Sequence, residues 1–376
     1  MKIYADHAAT TKLDKDALKA MIPFLTEEYA NASQTYLFAD SAKNALETAR
    51  HTIAECINAE PEEIYFTSSG TESDNWAVKS TAFSGKSNGA IVTTQIEHKA
   101  VLLSCKSVER LGCPVIYLPV DRSGVVHPEY IEKYAFGRLK LLSVMYANNE
   151  IGSIQPIKQL CEKAHEQGAV FHTDAVQALG HIPVDVKALG VDMLSGSAHK
   201  FNGPKGIGFL YIKRGTEISP YIDGGGQEHG MRSGTENIAS IVGMAAALKK
   251  NCSRMNDSNI HLNNLENLLI SELKQSKTDF ILNGSENRIP SNMSLSFKGA
   301  DGEALMNILD FKGICVSAGS ACNSRNTEIS HVLEAIGVPE EYAAGTIRIS
   351  LGYENTVEDV HTIAKEIIKI LNYNFG

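Results

Sequence analysis

The sequence predicts an α/β fold: a largely parallel β-sheet covered by helices on both faces. Three observations carry that expectation. Short apolar runs alternate with longer helical segments between Ile64 and Ile212. Those runs are apolar at nearly every position, as strands buried on both faces are, instead of alternating apolar with polar. Gly70-Thr71, Asn149, Asp174 and Lys200 each fall where a run ends, which is where sheets of this kind collect their ligands.

Ile3 to Asp6 reads as a short strand, and His7-Ala8-Ala9-Thr10-Thr11 after it are small enough to let something pack against the backbone. Asp14 caps a helix through about Tyr29, with Pro23 bending it. Asn31-Ala32-Ser33-Gln34 is a loop. A helix from about Asp40 to Asn58 carries Ala42, Ala45, Leu46, Ala49, Ile53 and Ile57 on one face. Ile64-Tyr65-Phe66 is a strand, Thr67 to Glu72 a turn of small residues, and Ser73 to Phe83 a helix. Such a strand–turn–helix offers free backbone N–H groups and a helix dipole to one anion. It lacks GxGxxG and a P-loop lysine, so a single phosphate suits it better than a dinucleotide or nucleoside triphosphate. An ordinary capped helix start explains the same residues.

The alternation continues with strands Ala90 to Thr93, Val115 to Leu118, Leu139 to Tyr146 and Val170 to Thr173, and helices His98 to Leu111 and Ile157 to Gln167. Met193 and Leu194 end the strand before Ser195-Gly196-Ser197-Ala198-His199-Lys200. Lys200 lies between that strand and the next apolar run, Gly208 to Ile212. A lysine between buried strands loses water, its pKa falls and its amine becomes nucleophilic, as a Schiff base requires. Ser197 and His199 can donate to an anionic group beside it, so a pyridoxal 5'-phosphate site is one reading; a glycine-rich turn with a solvated lysine is the other. Asp174 can bond a protonated pyridine nitrogen or simply cap a helix. His98 can stack on a flat ring or serve as a structural helix-start histidine.

The run from Gly224 to Asn237 is too rich in glycine for a core element. It reads either as a linker or, through Arg232, Ser233 and Thr235, as a phosphate contact. A long helix begins near Asn237, and its polar stretch Asn251 to Asn259 marks a boundary to a second domain. Strands Phe280 to Leu282 and Met293 to Phe297, a helix Asp301 to Phe311, and Ile314 to Val316 follow. In the loop Ser317 to Thr327, Cys322 stands among small polar residues, as an exposed nucleophile does, whereas Cys315 between Ile314 and Val316 looks like a packing residue. The strand Thr346 to Ser350 presents Arg348, suited to clamp a carboxylate, and an amphipathic helix Val357 to Leu371 closes the chain.

Composition narrows the function. The 376 residues are 43% hydrophobic and 21% charged, enough for a large core. A net charge of -9 argues against direct nucleic-acid binding. No signal peptide and no membrane-length apolar run are visible, which makes a cytoplasmic location the default expectation. Seven scattered cysteines without a CxxC pair disfavour a disulfide framework or a zinc module, and no metal is expected.

Taken together, nine stretches carry a resemblance that spans nearly the whole chain. They are Tyr4 to Thr11, Phe66 to Ser73, Glu97 to Leu102, Asn148 to Gly152, His172 to Gln177, the Lys200 loop, Arg232 to Asn237, Gly319 to Cys322 and Arg348 to Gly352. In this order and spacing the chain resembles the cysteine desulfurases of the NifS/IscS type, group I. The resemblance implies the aspartate aminotransferase-like fold (fold type I), with a mainly parallel seven-stranded sheet in a large domain, 12–252, and a smaller α+β domain, 1–11 with 253–376. It implies pyridoxal 5'-phosphate on Lys200, with His98 on the ring, Asp174 on its nitrogen, and Asn149 and Gln177 on its phenolic oxygen. Gly70, Thr71, Ser197 and His199 would hold the phosphate, and Thr235 would reach the phosphate of a partner subunit in a homodimer. Asn31 and Arg348 would bind the carboxylate of L-cysteine, Lys200 would move the Cα proton, and Cys322 would take the sulfur as a persulfide. A sulfur-acceptor protein, for iron–sulfur assembly or tRNA thiolation, would then receive it. Tyr36, Ala39, Asp74 and His229 depart from the family's usual residues, and are expected around the substrate entrance and the dimer contacts. A selenocysteine lyase or other C–S lyase on the same fold is the alternative, and a metal-dependent hydrolase using His98, His172, Asp174 and His199 is a more distant one.

Overall fold

The computed structural model describes residues 2–84, 89–135, 139–323 and 326–374, with the backbone alone at 320–323, 326–328 and 374. The chain enters through β1 (Ile3–Tyr4) and two helices, α1 (Lys15–Thr26) and α2 (Asp40–Ile57). An alternating stretch follows: β2 (Ile64–Thr67), α3 (Gly70–Phe83), β3 (Ala90–Thr94), α4 (Lys99–Arg110), β4 (Val115–Leu118), α5 (Glu129–Ala135) and β5 (Leu139–Ser143). It continues as α6 (Ile157–Glu166), β6 (Val170–Asp174), α7 (Val186–Leu189), β7 (Met193–Ser197) and β8 (Gly208–Ile212).

These strands build one seven-stranded sheet in the order β2-β8-β7-β6-β5-β3-β4. β8 runs antiparallel to both neighbours. All other pairings are parallel. The unbroken apolar character of the strands has a direct cause. Consecutive side chains point to opposite faces, and both faces are covered. Val92, Leu142, Leu194 and Tyr211 pack into the core beneath α2, α6 and the residues Ile241, Met244 and Leu248. Their neighbours Ile91, Leu141, Met193 and Leu210 pack with Trp76 and Val101 beneath α3 and α4.

The remaining elements are α8 (Ile238–Gln275), β9 (Phe280–Asn283), β10 (Asn292–Phe297), α9 (Gly302–Phe311), β11 (Ile314–Cys315) and β12 (Ser317–Ala318). Then come β13 (Ser320–Asn323), β14 (Asn326–Ile329), α10 (His331–Ala335), α11 (Glu340–Ala343), β15 (Thr346–Ser350) and α12 (Val357–Asn374). A four-stranded antiparallel sheet, β12-β15-β10-β9, lies against α8, α9 and α12 through Leu265, Leu269, Leu305, Leu309, Ile363 and Ile367. β1 pairs in parallel with β11, Ile3 opposite Ile314, so the start of the chain is tied to this second layer.

Several expectations shift by a few residues, with identifiable reasons. Asp14 caps α1 as anticipated, its Oδ1 accepting from Asp16 N and Ala17 N. α3 starts at Gly70 and not Ser73, because Ser69 Oγ accepts from Glu72 N at 3.2 Å and draws the turn into the helix. The segment Ser317 to Thr327 is not a plain loop: β13 and β14 pair as a hairpin with Cys322 opposite Thr327. The polar stretch Asn251 to Asn259 does not interrupt α8, a single helix of 38 residues that contributes to both cores. Its polarity comes from what it touches. Asn251 Nδ2 donates to the Phe201 carbonyl at 2.7 Å and Arg254 Nη2 to Asn202 Oδ1 at 3.2 Å, just beyond Lys200.

The glycine-rich segment after Gly224 is anchored and does not act as a linker. The buried Glu228 carboxylate accepts from Arg50 Nη1 and Nη2 at 2.9 and 2.8 Å and from Phe66 N at 2.9 Å. Arg50 also lies over the Phe66 ring, 4.6 Å from its centroid. Glu228 and His229 hold φ of 49° and 58°, left-handed values that strain non-glycine residues. The ion pair holds them there. Arg50→Met leaves a buried carboxylate without its partner and is expected to cost about 3–5 kcal/mol, read from urea unfolding of the full chain. A loss below about 1 kcal/mol would show that the pair does not anchor this segment.

Candidate active site

One cavity of about 400 Å³ opens where β6 and β7 end and α3 begins. Gly70, Thr71, His98, Asn149, Asp174, Gln177, Ser197, His199, Lys200 and Arg348 all line it. These residues come from α3, β6 and β7, from the connections after β3, β5, β6 and β7, and from β15, and the parallel sheet brings them together by pointing its strand ends the same way.

Lys200 follows β7 in a short 3-10 turn, and its Nζ donates to the carbonyls of Ala8 and Ala9 at 2.6 and 2.9 Å. Burial lowers its pKa to about 8, with Arg348 pushing the same way and Asp174 and Asp6 opposing. Asp174 closes β6, 5% exposed, with Oδ1 accepting from Val176 N at 2.9 Å. Burial raises its carboxyl while His98 and Lys200 hold it down. His98 takes the structural helix-start role and also faces the cavity. It caps α4, its Nδ1 accepting from Ala100 N at 3.1 Å. That bond leaves the ring proton on Nε2, and burial lowers the ring's pKa.

The other end of the cavity suits an anion. The first turn of α3 meets Ser197 and His199 there. A methyl group on Gly70 would stand 2.6 Å from Val176 Cγ2 and 3.3 Å from Ser197 Cβ, so the missing side chain is what leaves the cradle open. His199 Nδ1 lies 3.1 Å from Thr10 Oγ1, and burial, with Lys200 beside it, pulls the ring down to about 4. A desolvated amine, a buried carboxyl, a neutral imidazole and a helix N-terminus around one cavity fit pyridoxal 5'-phosphate.

Arg348 is already engaged: Nη2 donates to Asp6 Oδ1 at 2.7 Å and to Ser317 Oγ at 3.0 Å, and Nη1 to the Asn149 carbonyl at 3.0 Å. Among the described residues its Nε is buried without a partner. Gln177 Nε2 donates to the Ala8 carbonyl at 3.0 Å. Two expected site residues, Asn31 and Thr235, are not brought into the cavity. Asn31 turns its Oδ1 to Ser33 N at 2.9 Å. Thr235 is exposed and lines a separate cavity with Thr67, Ser68 and Arg232. The Cys322 side chain lies outside the described residues, although its backbone belongs to β13. Arg232, read as a phosphate contact, instead pairs with Glu72 through Nε at 2.7 Å and Nη2 at 3.1 Å.

Two contributors were missed. The carbonyls of Ala8 and Ala9 carry no side-chain signal. Asp74, expected at the entrance or dimer contacts, is 1% exposed and lines the cavity. Helical spacing from Gly70, four residues on, was the signal that would have placed it. Tyr36 and His229 are exposed, and Ala39 is buried. Among the described residues no helix is long and apolar enough to cross a membrane, and no group of three or more His, Cys, Asp or Glu is placed to hold a metal ion.

Comparison with known proteins agrees with this fold. The class-V aminotransferase family matches residues 3–363. A cysteine desulfurase IscS of Clostridium botulinum is 46% identical over 374 residues, covering 98% of this chain and 94% of that protein. The solved structure of a NifS-like protein superposes with a TM-score of 0.93 at 40% identity, covering 99% of this chain and all, 100%, of the other. The structure described as SspA in complex with cysteine has a TM-score of 0.82 at 34% identity, covering 95% of this chain and 100% of that one. The chain belongs to the class-V aminotransferase family and, within it, to the cysteine desulfurases of the NifS/IscS type, with the aspartate aminotransferase-like fold (fold type I).

The lowered Lys200 pKa has a measurable consequence. Amine-reactive labelling, followed by peptide mass spectrometry, is expected to modify Lys200 with a rate half-maximal near pH 8, where its amine is half neutral. A rate still climbing at about pH 10, as for an ordinary lysine, would show that burial does not shift it.

Proposed function

We infer that the protein is a pyridoxal 5'-phosphate-dependent cysteine desulfurase that converts L-cysteine to L-alanine and receives the sulfur on Cys322. One observation carries the reading: the half-buried Lys200 and the buried Asp174 carboxyl face one cavity whose far end is a helix N-terminus. The names of the relatives point to the same activity.

When bound, pyridoxal 5'-phosphate supplies an electron sink for the electron pair left at the substrate Cα. Lys200 would carry it, Asp174 would pair with the proton on its ring nitrogen, and His98 would cover its face. Asn149 and Gln177 would meet its phenolic oxygen. Gly70, Thr71, Ser197 and His199 would hold its phosphate through the α3 N-terminus. Arg348, aided by Asn31, would bind the substrate carboxylate. Lys200 Nζ, neutral above about pH 8, would take the Cα proton. The Cys322 thiolate would attack the substrate sulfur, breaking its bond to Cβ. L-cysteine and the Cys322 thiol thereby become L-alanine and a Cys322 persulfide.

The reading extends to a homodimer. Thr235 stands exposed, outside its own chain's cavity, where it would meet the phosphate of a second copy. The two cores support a division into a large domain, 12–252, and a small one, 1–11 with 253–376, with the hinge inside α8. The persulfide would leave for an acceptor protein of iron–sulfur assembly or tRNA thiolation in the cytoplasm.

The test is alanine and sulfide release from L-cysteine with a reductant, in wild type and Cys322→Ala. Wild type is expected to form both in equal amounts and Cys322→Ala neither. Equal activity in the two would remove Cys322 from the reaction and favour a direct C–S or selenocysteine lyase.

A further inference from the structure

The floor of the cavity holds one titratable group that the reaction above leaves without a role. Asp74, in the second turn of α3, is 1% exposed. Its Oδ1 is buried and, among the described residues, accepts no hydrogen bond, yet the residue lines the cavity beside Asp174. His172 Nε2 is 3.7 Å away, beyond hydrogen-bond range. That nitrogen is engaged with Ser195 Oγ at 2.9 Å, and Nδ1 with Ser143 Oγ at 2.8 Å. The ring is fully buried, and burial lowers its pKa to about 3, so it brings no positive charge.

The other titratable groups facing Asp74 are carboxyls: Asp174 from β6 and Glu97 from the connection between β3 and α4. Glu97 accepts from Thr94 Oγ1 at 2.7 Å and from Met145 N at 3.0 Å, and burial still raises it to about 8. Of the cationic side chains lining the cavity, Lys200 acts on Asp174 and Arg348 pairs with Asp6. An ionised carboxylate at position 74 would therefore be without water, without a paired cation, and beside two other acids. Such an ion is costly, and the group takes a proton instead. Burial pushes the Asp74 carboxyl well above the ordinary carboxylate range, Asp174 and more weakly Glu97 push it further, and the Ser195 hydroxyl, which opposes them, does not outweigh them.

We propose that Asp74 is a neutral carboxylic acid and a positioning residue: it keeps the pocket floor at a single carboxylate, Asp174, matched to the one positive charge of a protonated ring nitrogen. The proposal rests on the pyridoxal 5'-phosphate reading of the pocket. Its physical basis is the pairing of one buried charge with one partner. A second buried anion would hold the Lys200 proton more tightly and oppose the neutral amine that the site needs.

The experiment compares wild type with Asp74→Asn, both loaded with pyridoxal 5'-phosphate, by infrared difference spectroscopy and by thermal unfolding across pH. At pH 7 the wild type is expected to show the carbonyl stretch of a protonated carboxyl that Asp74→Asn lacks. The stability profile follows from the sign of the shift. In the unfolded chain Asp74 ionises near pH 4, but in the folded chain it stays protonated, so wild type loses stability relative to the amide as pH rises past about 4. Asp74→Asn is thus expected to melt on the order of 2 °C higher at pH 7, with the gap closing toward pH 4. A carboxylate band in place of the carboxyl band, or a lower melting temperature for Asp74→Asn at pH 7, overturns the proposal. Asp74→Ser takes the place of the amide variant if that one does not fold. Failure of wild type to bind the cofactor sinks the pocket reading and the positioning role together, whereas a missing carboxyl band with cofactor bound sinks the Asp74 proposal alone.

Discussion

The Lys200 amine has to be kept from water while remaining at the edge of an open cavity, and much of the structure follows from that constraint. An amine loses basicity when it is desolvated, but a desolvated amine without hydrogen bonds is costly. The carbonyls of Ala8 and Ala9 resolve the conflict, accepting from Nζ at 2.6 and 2.9 Å. They do so from a segment that belongs to neither of the strands flanking the lysine. That segment is held by β1 on β11 and by Ala8 N donating to Ser350 Oγ at 2.9 Å. The second, smaller layer of the protein therefore reaches into the first to complete the site.

Arg348 extends the same arrangement. It stands on β15 of the small sheet and bonds Asp6, Ser317 and the Asn149 carbonyl. One guanidinium thus joins the chain start, the entry to the Cys322 hairpin and the end of the large sheet. Through its charge it also depresses the Lys200 pKa. A residue suited to bind a carboxylate is in this way also part of the electrostatics of the nucleophilic amine. The buried acids Asp74, Glu97 and Asp174 work in the opposite sense, since burial raises all three and limits how many can carry charge at once.

The local elements were largely legible in the sequence. β4, β8 and β15 have the bounds the apolar runs suggested, and α2, α6 and α9 begin and end within a residue or two of their signals. The strand-end positions of Gly70, Asp174 and Lys200 gave most of the cavity lining. Asn251 to Asn259, read as a domain boundary, lies within the continuous α8, and its polar residues also bond the loop after Lys200. Arg232, read as a phosphate contact, pairs with Glu72 within its own chain.

By itself the sequence determined the parallel sheet, through strands apolar on both faces, and the kind of chemistry, through residue types placed at strand ends. Hydrophobic period and chain order are local properties, and they survive in one dimension. What only the tertiary structure decided is which groups share a dielectric. That Asp74 lies beneath the cavity, that Ala8 and Ala9 hold the lysine, and that Glu228 locks a glycine-rich segment by pairing with Arg50, 178 residues distant in sequence, depend on long-range packing. Burial, and the charge state it imposes on each acid and base, is a property of the assembled fold.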